Sequence, residues 1–236
     1  MKKVVNKIIN AFIGQKNDTD KLLKKWMEHA EVREWAKKGW IDDKVDNVPF
    51  MLSQWEMRKQ PIPPPHKVKE FIIQEYAKKY NFDTLIETGT YLGMMIEAQK
   101  SYFKKIISIE LNEKFHADAV EKFKSYSHIH LYLGDSGKVL NDVVKELDRP
   151  ALFWLDAHYC SNMSSKGDKE CPIYEEVDAI FSTKKLNHVL LIDDARLFIG
   201  KNDYPTIPDL TNHVAKKNPS YSVSVKNDII RFEILS

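Results

Sequence analysis

From Lys67 onward, apolar residues recur in two alternating rhythms. Spacings of three and four predict helices at about 67–79, 93–102, 113–125, 136–146, 174–182 and 207–217. Between them, short apolar runs predict strands at Thr84-Leu85-Ile86, 106–109, 129–133, 151–155 and 188–192. A final pair, 221–225 and 229–235, flanks Lys226-Asn227-Asp228 and reads as a hairpin. Strands alternating with helices specify an α/β fold, a doubly wound and mostly parallel sheet with helices on both faces. The hairpin adds an antiparallel strand to it.

Residues 1–65 have a different texture. Val4, Val5, Ile8, Ile9, Phe12 and Ile13 repeat at helical spacing, and Asp18 and Asp20 open a second helix running past Trp26 to Trp35. Pro61, Pro63, Pro64 and Pro65 then form a stiff connector. The expected organisation is a helical extension, 1–65, joined to a main domain, 66–236. Three roles suit the extension: packing against the main domain or a second subunit, resting as a basic amphipathic helix on an anionic membrane surface, or walling an acceptor pocket with Trp26, Trp35 and Trp40.

Composition narrows the classes. The chain has 236 residues, 43% hydrophobic and 30% charged, which excludes disordered, collagenous and disulfide-scaffold proteins. No apolar run approaches the roughly 18–20 residues of a membrane span. Lys2 and Lys3 before an apolar stretch look like the start of a secretory signal, but Asn6, Lys7 and Asn10 interrupt it and no cleavage site follows, so it reads as retained. Cys160 and Cys171 are too few to staple a chain of this size and point to the cytoplasm and free thiols, with a loop disulfide or zinc as lesser options. A net charge of +2 leaves no overall footprint for nucleic acid. The average is uneven, with 17 basic against 11 acidic residues in the first 80 positions and 19 against 23 in the rest.

The acids of the second part gather where such a fold binds ligands, at the C-terminal ends of the strands. The first strand runs into Glu87-Thr88-Gly89-Thr90-Tyr91-Leu92-Gly93. Two glycines four apart let the backbone pass close to a ligand, and the preceding carboxylate suits an ammonium-bearing ligand better than a diphosphate. The G-x-G-x-x-G dinucleotide fingerprint is absent, which argues against a dehydrogenase. Glu110 ends the second strand, placed to accept hydrogen bonds from both hydroxyls of a ribose, or else simply solvated. Gly134-Asp135-Ser136 follows the third, where Asp135 receives an adenine amino group or serves as a plain helix cap.

This ordered set, continued by Leu155-Asp156, resembles the motifs of class I S-adenosylmethionine-dependent methyltransferases over roughly residues 66–236. The resemblance implies a Rossmann-like, seven-stranded sheet with S-adenosylmethionine as cofactor. Glu87, Gly89 and Gly93 would line the methionine end, Glu110 the ribose, and Asp135 with Ser136 the adenine, with Thr88, Thr90, Tyr91 and Asp156 also among the cofactor-binding residues. Asp156, Asp193 and Asp194 end the fourth and fifth strands, and three converging carboxylates call for a hard cation such as Mg²⁺. The trio is similar to the metal site of cation-dependent O-methyltransferases, most closely the macrocin-type sugar enzymes. The plain alternative is that Asp193 and Asp194 cap the loop that follows.

The polar stretch 157–173 reads as a mobile lid at the active end. His158 within it would be a general base, a further ligand, or a histidine bonded to loop backbone. The expected activity is methylation of a hydroxyl on a small molecule or sugar, assisted by a cation. The alternatives are a metal-independent methyltransferase with His158 as base and a non-catalytic S-adenosylmethionine-binding scaffold. A homo-oligomer fits the apolar extension, and no nucleic-acid partner is expected.

Overall fold

The computed structural model describes residues 55, 57–157, 170–183 and 186–234. The expected N-terminal helices, His158, Cys160 and most of the expected lid lie outside the described residues. The chain divides into two compact units, Met1–Phe71 and Ile72–Ser236. In the described part of the first, the Trp55 indole donates to the Pro61 carbonyl at 2.9 Å. No helix of the described residues is long and apolar enough to cross a membrane.

The elements follow in the order α1 (His66–Tyr80), β1 (Thr84–Thr88), α2 (Met94–Gln99), β2 (Lys105–Glu110), α3 (Glu113–Phe123), β3 (Ile129–Leu133) and α4 (Ser136–Val143). Then come β4 (Leu152–Leu155), α5 (Ile173–Ile180), β5 (Val189–Ile192), α6 (Ile207–Lys217), β6 (Tyr221–Lys226) and β7 (Ile229–Ile234). They build one seven-stranded sheet of order β3-β2-β1-β4-β5-β7-β6. Strands β1 to β5 pair in parallel, and β7 runs antiparallel to β5 and β6. The expected fold is observed, a Rossmann-like, mostly parallel sheet closed by an antiparallel hairpin.

Local chemistry explains the boundaries. β1, β4 and β5 are buried along their whole length, as continuous apolar strands covered on both faces must be. Asn112 caps α3, its side-chain oxygen accepting from the Lys114 and Phe115 amides at 2.9 and 3.1 Å. Thr206 caps α6 by accepting from the Asp209 amide at 3.2 Å. Asn227 and Asp228 both take positive φ, 55° and 60°, which matches the twist of a two-residue hairpin between β6 and β7. Glu233 on β7 accepts from Tyr76 at 2.9 Å and Tyr80 at 2.5 Å, fixing the C-terminal half of α1 against the sheet. Phe153, Leu190, Leu210 and Phe232 are at the centre of the core.

One difference from the expected elements bears on the site. β1 extends to Thr88 instead of stopping at Ile86, because parallel partners flank it on both sides: Glu87 registers with Ser108 of β2 and Trp154 of β4. Glu87 is therefore a strand residue held inside the sheet, 2% exposed.

Candidate functional site

The strand order reverses between β1 and β4, so a crevice opens where their following loops diverge. At this switch point the two segments nearly touch. A Cβ on Gly89 would lie 2.5 Å from the Asp156 carbonyl oxygen, and Gly89 itself has φ +85°. The Asp156 amide donates to the Thr88 carbonyl at 3.1 Å and to the Thr88 hydroxyl at 3.2 Å. Thr88, fully buried, thus spends its side chain joining β1 to the end of β4. Gly89 donates to the Ile109 carbonyl at 2.9 Å, which ties the same turn to β2.

A buried polar chain runs beneath the turn. The Ser108 hydroxyl donates to Glu87 Oε2 at 2.5 Å, and the Ser108 and Thr90 hydroxyls are 2.6 Å apart. All three residues are at most 3% exposed. Burial raises the pKa of Glu87 to about 8; the Ser108 hydrogen bond opposes this, while the charges of Asp156 and Glu110 add to it and that of Lys122 offsets it. The ligand-free site at neutral pH therefore holds Glu87 mainly as the neutral acid.

Glu110, at the end of β2, is 6% exposed and carefully oriented. Its Oε2 accepts from the Tyr91 amide at 2.7 Å and its Oε1 from the Asn112 amide at 2.8 Å. Each carboxylate oxygen has two lone pairs, so both oxygens keep acceptor capacity for a diol. The bond to Tyr91 requires the turn to bend sharply, and Tyr91 adopts φ 47° to make it. The Tyr91 ring packs edge-on against Phe115 of α3 at 4.9 Å.

Beyond β3, Asp135 caps α4 by accepting from the Gly137 amide at 3.0 Å, and its other oxygen lies 3.4 Å from Lys138 Nζ. The capping reading is thus realised; the capping carboxylate also stands at the ligand end of the sheet. Ser136 donates to Glu176 of α5 at 2.6 Å, and both residues are buried. Gly137 packs so closely on α5 that a Cβ would lie 2.6 Å from Glu175 Cβ. Glu176 went unremarked in the sequence because the contact joins positions 40 residues apart.

Of the acids that follow β4 and β5, Asp194 meets an arginine. Leu155 and Ile192 are in register, so Asp156 and Asp193 leave adjacent strands side by side, and the Asp193 amide donates to the Leu155 carbonyl at 3.0 Å. Asp194, with φ 57°, turns to Arg196, whose Nη1 donates to its Oδ1 at 2.7 Å. The same Arg196 side chain pairs with Asp228 in the hairpin turn, and its backbone amide donates to Asp228 Oδ1 at 2.8 Å. Among the described residues no three His, Cys, Asp or Glu side chains assemble into a group that could hold a metal ion. An arginine shared with Asp228 supplies positive charge beside Asp194, where Asp156, Asp193 and Asp194 were expected to call for a cation.

No family model matches the chain, and no curated protein matches its sequence. Its fold does match solved structures. An O-methyltransferase from Bacillus cereus in complex with SAH aligns at TM-score 0.53 and 12% identity, covering 91% of this chain and 100% of that one. A candidate caffeoyl-CoA O-methyltransferase from Staphylococcus aureus gives 0.52 at 13% identity, over 92% and 100%. The N-methyltransferase NodS from Bradyrhizobium japonicum WM9, in complex with S-adenosyl-l-homocysteine, gives 0.50 at 10% identity, over 93% and 100%. The chain has the Rossmann-like fold of these methyltransferases.

Proposed function

We propose that this protein is an S-adenosylmethionine-dependent methyltransferase acting on a hydroxyl of a small molecule or sugar. The observation that carries the reading is the Glu110 carboxylate, held by the Tyr91 and Asn112 amides beside a glycine turn at the switch point. Such a carboxylate is built to accept from a ribose diol. Glu87 and Asp156, flanking the turn, suit the methionine end of a cationic ligand, and Asp135 the adenine.

When bound, the cofactor supplies an activated methyl group. The chain has to hold the acceptor oxygen in line, exclude water and receive the hydroxyl proton. Asp156, half-buried where β4 ends, is placed for that last role, with His158 two residues on as the other expected base. The carboxylates at the mouth suit an oxygen acceptor, whose hydroxyl must lose its proton to a base. Arg196 shares its charge between Asp194 and Asp228, and the reading routes no step through a cation.

Calorimetric titration tests it. S-adenosylmethionine should bind one-to-one, and Glu110→Ala should weaken binding by about tenfold to a hundredfold, the worth of a hydrogen bond to a charged group. Absence of binding to the unaltered protein would refute the reading.

A further inference from the structure

We propose that Lys122, in the last turn of α3, is a positioning residue for the cofactor turn, setting both its shape and its charge; this rests on the S-adenosylmethionine reading above. The turn from Gly89 to Gly93 contains three left-handed residues, Gly89 at φ 85°, Tyr91 at 47° and Gly93 at 67°. A tyrosine held there is strained, and such a conformation persists only where surrounding contacts enforce it.

Those contacts come from α3. Phe115 packs on the Tyr91 ring. Phe123 fills the space beside Gly93, where a Cβ would lie 2.6 Å from its ring. Lys122 Nζ donates to the Leu92 carbonyl at 3.1 Å and to the Gly93 carbonyl at 3.5 Å, and stands 3.9 Å from Glu97 of α2. The two carbonyls close the segment whose Tyr91 amide orients Glu110, so the ammonium group secures the ribose acceptor from behind.

Lys122 differs from its aromatic neighbours in carrying charge into an acidic site. The groups acting on Glu87 are Ser108 and Glu110 from β2, Asp156 from the end of β4, and Lys122 from α3. Lys122 favours ionised Glu87, whereas the two carboxylates disfavour it. A residue that served only to pack α3 against the turn would leave that balance untouched.

The test uses the full chain with Lys122→Met and Lys122→Arg, titrated with S-adenosylmethionine from pH 6 to 9, with thermal melts to confirm folding. Lys122→Met should bind about tenfold more weakly, and the pH midpoint of its binding should move upward because Glu87 loses a favourable charge. Lys122→Arg should keep the original midpoint and most of the affinity. Unchanged affinity and midpoint in Lys122→Met would overturn the proposal, as would equal weakening in both variants with no midpoint shift. Should Lys122→Met not fold, a displaced midpoint in Lys122→Arg would overturn it instead. Failure of the unaltered protein to bind the cofactor at all would show that the underlying functional reading is at fault.

Discussion

Glu87 should make ligand binding depend on pH in a way that can be calculated. With its pKa raised by burial to about 8, only about one molecule in ten holds it ionised at pH 7, and about one in a hundred at pH 6. A cationic ligand favours the ionised form, so its apparent affinity is reduced by that fraction: about a hundredfold at pH 6 and about tenfold at pH 7. Binding at pH 7 should release close to one proton, readable by calorimetry in buffers of different ionisation enthalpy. Glu87→Gln keeps the size and the Ser108 contact but cannot ionise. It should abolish the release and flatten affinity between pH 6 and 7, where the ligand's own α-amine, with a pKa of about 7.7–8.0, stays protonated. Stability runs the other way. The folded pKa lies above the unfolded value of 4.5, so the stability linked to this proton is complete below that value and is lost as pH rises through about 8. In the ligand-free protein, Glu87→Gln should therefore gain on the unaltered chain across this window, by on the order of several kcal/mol at pH 8. Equal proton release by both proteins, or affinity indifferent to pH from 6 to 8, would refute the reasoning.

Gly89→Ala would drive a Cβ to 2.5 Å from the Asp156 carbonyl in a left-handed backbone, and should cost about 1–3 kcal/mol of stability and at least tenfold in cofactor affinity. An unchanged melting temperature and titration would contradict this. With Arg196 paired to Asp194 and Asp228, methyl transfer should persist in EDTA; loss of activity restored by Mg²⁺ would show that a cation is needed after all. Arg196→Ala should destabilise the chain by about 3–5 kcal/mol in a denaturant titration, since it strips the countercharge from the buried Asp228. A loss below about 1 kcal/mol would mean that the ion pair contributes little.

What the sequence revealed and what it concealed divide along contact range. The alternation of helix and strand rests on periods of two and three to four residues, which is why the seven strands and six α-helices among the described residues 66–234 were legible. So were the acids at the strand ends, because a carboxylate closing an apolar run is a local signal. The extent of β1 was not, since the strand continues through Glu87 and Thr88 only because β2 and β4 pair with it on either side. The partners of the acids were concealed for the same reason. Arg196 and Asp228 are 32 positions apart, and Lys122 and Leu92 are 30 apart, so the fold alone brings them together. Asp193 and Asp194 read as a matched pair, yet the left-handed backbone at Asp194 turns it toward Arg196. Asn112 was within reach of local reasoning: an Asn directly before a charged, amphipathic run is a helix cap, and its amide also orients Glu110.

The central claim is that the switch point between β1 and β4 holds S-adenosylmethionine. A crystal structure of the chain soaked with S-adenosylhomocysteine tests it most directly. The ribose hydroxyls should lie within hydrogen-bond distance of Glu110, with the sulfur over the turn between Gly89 and Asp156. Density for the ligand elsewhere on the chain, or a Glu110 carboxylate that contacts no ribose, would contradict the account.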